Sequence, residues 1–209
     1  MADDAHRITT LAQLREVIPE PVEVAVAKTR PTLDEHSRRF IALSPLVLIG
    51  TQSVDGRGDV SPKGDPAGFV AVLDDTTIVI PDRPGNNRTD TFANVIANPS
   101  VGLLFVVPGL TETLRVNGTA TLTTDPELLR TLSVNGREPK LAMVVTVTEA
   151  FLHCGKALIR SKLWDPGRHV DRSAVPSIGR VIADQLALDD DFVAEADAAL
   201  AEDYRNGLY

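Results

Sequence analysis

Apolar residues change their spacing along this chain, and the changes divide it into three stretches. Ile8, Leu11, Leu14 and Ile18 recur at helical intervals. Thr9 or Thr10 is placed to cap that helix, and Pro19 and Pro21 to stop it. A second short helix is predicted over Asp34 to Leu43, with Leu33, Phe40 and Ile41 as its apolar contacts and Pro45 at its end.

From Leu46 onward the period shortens to that of strands. Leu46 to Gln52 is an apolar, β-branched run leading to the turn pair Asp55-Gly56. Asp59 to Gly64 is an irregular strand, and Pro62 places it at an edge or bulge. Phe69 to Leu73 and Thr77 to Ile80 flank Asp74-Asp75 as a hairpin. A short helix over Arg88 to Ala97 closes at Asn98-Pro99. Val101 to Val107 is nearly continuous in apolar character. After Pro108-Gly109, Leu114, Val116, Gly118, Ala120 and Leu122 alternate with polar residues, the mark of a half-buried strand. Asp125 and Pro126 open a helix to Leu132, and Leu141 to Val147 is the last strong strand. Beyond it Cys154 to Trp164, Ser177 to Leu188 and Phe192 to Ala201 read as helical, with Asp189-Asp190-Asp191 capping a helix-to-helix turn. Hairpin-linked strands with few helices between them predict a mainly β fold, an antiparallel barrel or sandwich with peripheral helices. The βαβ rhythm and the glycine-rich signatures of nucleotide-binding α/β folds are absent.

Composition narrows the function more than the fold. The 209 residues carry a net charge of −8, which argues against a nucleic-acid binder. No apolar run is long enough for a membrane helix, and the MADDAHRITT start lacks the pattern of a secretory signal, so a cytoplasmic protein is expected. One cysteine, Cys154, excludes an internal disulfide. His153 and Cys154 are too few for a zinc site and read as ordinary packing; His6 and His36 read as solvated.

Two polar segments stand out from this acidic background. Asp59 to Pro66 contributes Ser61 and Lys63. Ile80 to Thr89, a strand end running into a helix start, contributes Arg83, Asn86, Asn87 and Arg88. Cations, amides and the free N–H groups of a helix start are the parts of a phosphate site. The competing reading is that the asparagines and Thr89 cap a helix while Lys63 sits in water and Arg88 pairs with Asp82 or Asp90.

The order of these segments, with Asn98-Pro99 after a short helix and then Leu114-Arg-Val-Asn-Gly118, resembles the pyridoxamine 5′-phosphate oxidase-like family of FMN-binding split barrels. The resemblance implies a helical extension over 1–37, the barrel over 38–165, and a helical tail over 166–209 packed on the barrel. It implies FMN as cofactor, with Pro62-Lys63 against the flavin and the Lys63 ammonium favouring its anionic reduced form. Ile80-Pro81 would lie along the ring, Asn87-Arg88 would grip the phosphate, and Arg83 would supply a second charge there. Thr113 stands where the oxidases carry a glutamine. The resemblance also implies a homodimer with FMN at the interface, which Arg115, Lys156, Arg160 and Trp164 would approach across subunits. The oxidases end in an Arg-x-His signature; here Arg168-His169 is adjacent. That departure points away from pyridoxamine phosphate as substrate and toward an uncharacterised branch acting on a small organic substrate or nicotinamide. A flavin-carrying module without turnover, or a barrel using a deazaflavin or haem, is the alternative.

Overall fold

The computed structural model describes residues 6–209; the first five residues of the segment examined for a secretory signal lie outside them. Seven antiparallel strands form one sheet: β1 (Leu46–Gln52), β2 (Gly58–Gly64), β3 (Ala71–Val72), β4 (Thr77–Pro81), β5 (Ser100–Val106), β6 (Thr113–Thr123) and β7 (Ala142–His153). Their spatial order is β2-β1-β5-β6-β7-β4-β3. The sheet curls so that alternate residues of five strands meet in a single core. Val47 and Ile49, Ile78 and Ile80, Leu103 and Phe105, Leu114 and Val116, and Val145 and Val147 all belong to it. Of the antiparallel barrel or sandwich that the strand pattern predicts, this is the barrel, mainly β with peripheral helices and of the split type that the resemblance implies.

Two helices plug the barrel. α3 (Glu35–Leu43), capped by the Asp34 carboxylate on the Ser37 N–H, buries Phe40 and Ile41. α4 (Asp90–Ala97) buries Phe92 and Val95. α5 (Pro126–Thr131) packs outside, where Leu129 and Leu132 cover Val79 and Ala142.

Two strands differ most from the sequence reading: β3 keeps only Ala71–Val72 of the predicted Phe69–Leu73, and β7 is longer than predicted. β7 runs to His153, well past Val147, because β6 is long enough to pair with it throughout, across an irregularity at Asn117/Gly118. The polar residues Thr146, Thr148 and Glu149 hid this extension.

At the N-terminal end, α1 (Leu11–Val17) forms with Thr10 and Gln13 in a reciprocal capping box, and α2 (Glu23–Ala27) follows. Neither buries a residue. The contact with the barrel starts at Lys28, whose ammonium donates to the Leu152 carbonyl, and continues at Arg30, bridged to Ala150, and at Leu33, which is inside the core. At the other end come α6 (Lys156–Ser161), α7 (Ile178–Leu186) and α8 (Asp190–Asn206), the last capped by Asp189. The tail is expected to pack on the barrel; instead α7 and α8 pack chiefly on each other. Among the described residues no helix is long and apolar enough to cross a membrane.

Candidate functional site

The two open edges of the sheet, β2 and the β4–β3 hairpin, leave a seam, and the polar segments meet along it. β2 pairs Ser61 with Ile49 and Lys63 with Val47. Strand alternation therefore puts both polar side chains on the core-facing side, while Pro62 faces outward. The Lys63 ammonium lies 4.9 Å from the centre of the Phe92 ring of α4 and 3.5 Å from the Asp82 carboxylate beyond β4. The lysine is half-buried between a ring and an acid, unlike a freely solvated surface lysine.

Ser61, Pro62 and Lys63 join Asn86, Arg88 and Phe92 in lining a cleft of about 250 Å³. A second cleft, of about 380 Å³, shares Ser61–Lys63 and Asn86 and adds Pro81 and Arg83. A third, of about 410 Å³, shares Arg83 and adds Asn87, Arg137, Lys140 and Tyr209. Their shared walls make them one trough along the seam.

The turn into α4 is unusual. Asn87 and Thr89 have φ of 58° and 57°, the left-handed region that a β-branched residue such as Thr rarely enters. Thr89 makes no side-chain cap, and among the described residues no side chain accepts a hydrogen bond from the first-turn N–H groups of α4. Arg88, between the two, is 73% exposed, and its Nε donates to Asp90 at 2.8 Å. That hydrogen bond is the main cause raising the guanidinium pKa.

Arg83 is held differently. Its Nε donates to Asp65 at 2.6 Å and its Nη2 to the Leu132 carbonyl at 2.9 Å. The Asp65 side chain is only 1% exposed. Its other oxygen accepts the Tyr209 hydroxyl at 2.6 Å, the first cause raising the phenol pKa. As a second phosphate cation, Arg83 is thus engaged elsewhere: a buried carboxylate holds its guanidinium across the seam.

The remaining sequence candidates separate into two groups. Ile80 is a core residue, and Pro81 carries the strand end into the trough. Thr113, Arg115, Lys156, Arg160 and Trp164 do not line the trough. Thr113 is buried at the start of β6, opposite Val106 and His153. Arg115 stands on the outer face, 5.5 Å from the centre of the Phe151 ring. Lys28 approaches the same ring, and His153 is pushed below its ordinary pKa by burial first and then by Arg115 and Lys28. Lys156 and Arg160 are exposed on α6, and the Trp164 indole donates to the Leu110 carbonyl at 2.7 Å.

Sequence reasoning passed over several trough residues. Phe92 lies inside the short helix predicted over Arg88 to Ala97, with no local signal of the trough. Arg137 follows an Asn135-Gly136 turn with positive φ at both positions, the hairpin signal that aims it at the seam. Asp65 and Tyr209 are 144 residues apart, and no local pattern links them. Among the described residues no group of histidines, cysteines and carboxylates could hold a metal ion.

The family model for pyridoxamine 5′-phosphate oxidase matches residues 33–154, from the core residue Leu33 to the end of β7. The chain belongs to the pyridoxamine 5′-phosphate oxidase family. The matched region contains Lys63, Arg83, Asn87 and Arg88, and ends before α6. No curated protein matches the chain. Among solved structures, HupZ of Group A Streptococcus is 19% identical with a TM-score of 0.49, covering 57% of this chain and 93% of that one. A putative pyridoxamine 5′-phosphate oxidase from Lactobacillus delbrueckii is 22% identical with a TM-score of 0.46, covering 58% and 95%. The conserved hypothetical protein Rv2991 of Mycobacterium tuberculosis is 15% identical with a TM-score of 0.44, covering 68% and 95%.

Proposed function

We propose that this member of the family binds FMN in the seam trough and is an FMN-dependent oxidoreductase. It would move a hydride or two electrons between the cofactor and a small organic substrate or nicotinamide, as a cytoplasmic homodimer. The observation that carries this reading is the convergence of Lys63 and Arg88, from β2 and the approach to α4, on one cleft.

The donor set fits a phosphate-bearing ring. Arg88 and the first-turn N–H groups of α4 would hold the phosphate, with Arg88 exchanging Asp90 for it. The Ser61 hydroxyl adds a donor, and Pro62, Pro81 and Phe92 give apolar walls. Lys63 would set positive charge beside the ring and favour a more anionic bound form. When bound, the flavin supplies the redox chemistry, and the protein supplies binding, orientation and exclusion of water.

The outer sheet face supports the dimer. Leu48, Leu104, Arg115 and Phe151 fall on one row across β1, β5, β6 and β7, and Leu48, Leu104 and Phe151 are only half-buried. A second copy over this face would cover the row and could bring its Arg115, Lys156, Arg160 or Trp164 to the trough.

The test is the absorbance spectrum of purified protein, followed by FMN titration. Flavin bands with stoichiometric binding are expected; no binding, or a haem or deazaflavin spectrum instead, refutes the proposal. Saturable reduction by NADH or NADPH in stopped flow separates the enzyme from a flavin-carrying module. Sedimentation as a monomer with FMN bound would refute the interface.

A further inference from the structure

Residues 166–209 form a unit that holds itself together and touches the barrel sparingly. Gly179 of α7 lies so close to α8 that a Cβ there would strike the Asp197 carboxylate, whose Oδ1 accepts the Gly179 N–H at 3.0 Å. Gly179 and Ala183 are the buried residues of α7. Arg180 pairs with Asp184 and Asp190, within the same hairpin. Neither helix packs on the barrel to a comparable extent. Upstream, the connection from Asp165 to Pro176 is exposed and contains only two single-turn 3-10 helices.

Among the described residues, beyond the Gly167 and Arg168 N–H groups that donate to the adjoining Asp165, one hydrogen bond joins 166–209 to the rest of the chain: Tyr209 donating to Asp65 at 2.6 Å. The acceptor is the buried carboxylate that also holds Arg83 across the seam. Tyr209 further lines the cleft of about 410 Å³ with Arg83, Arg137 and Lys140. The contact therefore sits in the wall of the trough, at the end where Arg137 and Lys140 stand beside Asp82 and Glu138.

We propose that the α7–α8 hairpin is a strap, latched by Tyr209 on Asp65, that closes the Arg137–Lys140 end of the trough and limits ligand exchange there. A hairpin that packs on itself is released as a unit when one strong bond breaks, without loss of core. Opening of such an element falls in the microsecond-to-second range. A hydrogen bond to a charged acceptor is strong enough that its removal shifts the latch by about tenfold or more toward open. The gating half of this proposal rests on the FMN reading above; the latch itself does not.

The test uses the full chain spin-labelled at its one native cysteine, exposed Cys154, and at an exposed position of α8 through Ala198→Cys. Pulsed electron–electron resonance should give a narrow distance distribution in this parent and a broad one after Tyr209→Phe, which keeps the ring and removes the hydroxyl. FMN exchange in stopped flow should be about tenfold faster in Tyr209→Phe without the labels. An unchanged distance distribution overturns the latch. A broadened distribution with unchanged FMN exchange overturns the gate. A broadened distribution in a protein that binds no FMN supports the latch and refutes the FMN reading instead.

Discussion

Removing the Asp65 carboxylate should be among the most damaging single changes to this barrel. Asp65 is 1% exposed at its side chain and Arg83 15%, so the pair is withdrawn from water on both sides. Asp65→Ala would leave the Arg83 guanidinium buried with only the Leu132 carbonyl as acceptor. It would also strip Tyr209 of its partner. Breaking one side of a buried pair costs about 3–5 kcal/mol, because the remaining charge is uncompensated. For a chain of this size each kcal/mol moves the melting temperature by about 2–4 °C. Replacing both members, as Asp65→Leu with Arg83→Met, removes the stranded charge, and such replacements are often close to neutral. The double variant should therefore be more stable than Asp65→Ala alone. Urea denaturation of the wild type, Asp65→Leu, Arg83→Met and the double variant closes the thermodynamic cycle. As a control, Glu127→Ala, which breaks the exposed Arg130–Glu127 pair, should cost less than about 1 kcal/mol. A loss under about 1 kcal/mol for Asp65→Ala, or a double variant as damaged as the sum of its singles, would refute the reasoning.

Other outcomes follow from other parts of the molecule. Arg88→Ala should weaken FMN binding about tenfold in an equilibrium titration, the worth of a charge-assisted hydrogen bond at an exposed position, with little change in melting temperature. Gly118→Ala should destabilise the barrel by about 1–3 kcal/mol or more in a urea melt, because its Cβ would collide with the Thr146 carbonyl at the β6–β7 irregularity. His153 has its folded pKa lowered by burial and by Arg115 and Lys28. The unfolded chain thus binds that proton more readily, and the stability linked to His153 is present above the ordinary value of about 6.5 and lost as pH falls through the folded pKa. Arg115→Ala should raise the His153 pKa toward the ordinary value in an NMR titration. Asp34→Ala should cost about 1 kcal/mol at neutral pH. The Ser37 backbone N–H is the main cause lowering the Asp34 pKa, so in the wild type this contribution is lost as pH falls through the lowered folded value.

Much of the barrel is legible because its strands report their surroundings locally. Residues 114–122 alternate in burial as they alternate in polarity, 46–52 announce a strand by their apolar, β-branched run, and Pro62 marks an edge strand before any pairing is known. Helix ends are equally local: Thr10, Asp34, Asp125, Ser177 and Asp189 all cap through their own side chains. Legibility fails where partners are distant in sequence. The continuation of β7 past Val147 depends on the length of β6. Lys63 and the Asn86–Arg88 segment can be picked out as polar departures from an acidic chain, yet nothing local says that Arg83 is taken by Asp65. The sparing contact of the tail with the barrel is likewise invisible, because an amphipathic helix pattern does not say which surface the apolar face meets.

The position of β2 has a consequence for behaviour at high concentration. An edge strand offers unpaired backbone groups to any other chain, and long flat apolar edges seed aggregation. β2 is an edge strand with Pro62 near its middle and Asp59 and Lys63 on either side. A proline has no N–H to give to an incoming strand, and an incoming strand would have to strip water from the flanking charges. The strand that furnishes Lys63 and Ser61 to the trough is thereby also protected against strand addition. Pro62→Val would restore a donor and a β-favouring side chain there, exposing the seam to runaway self-association.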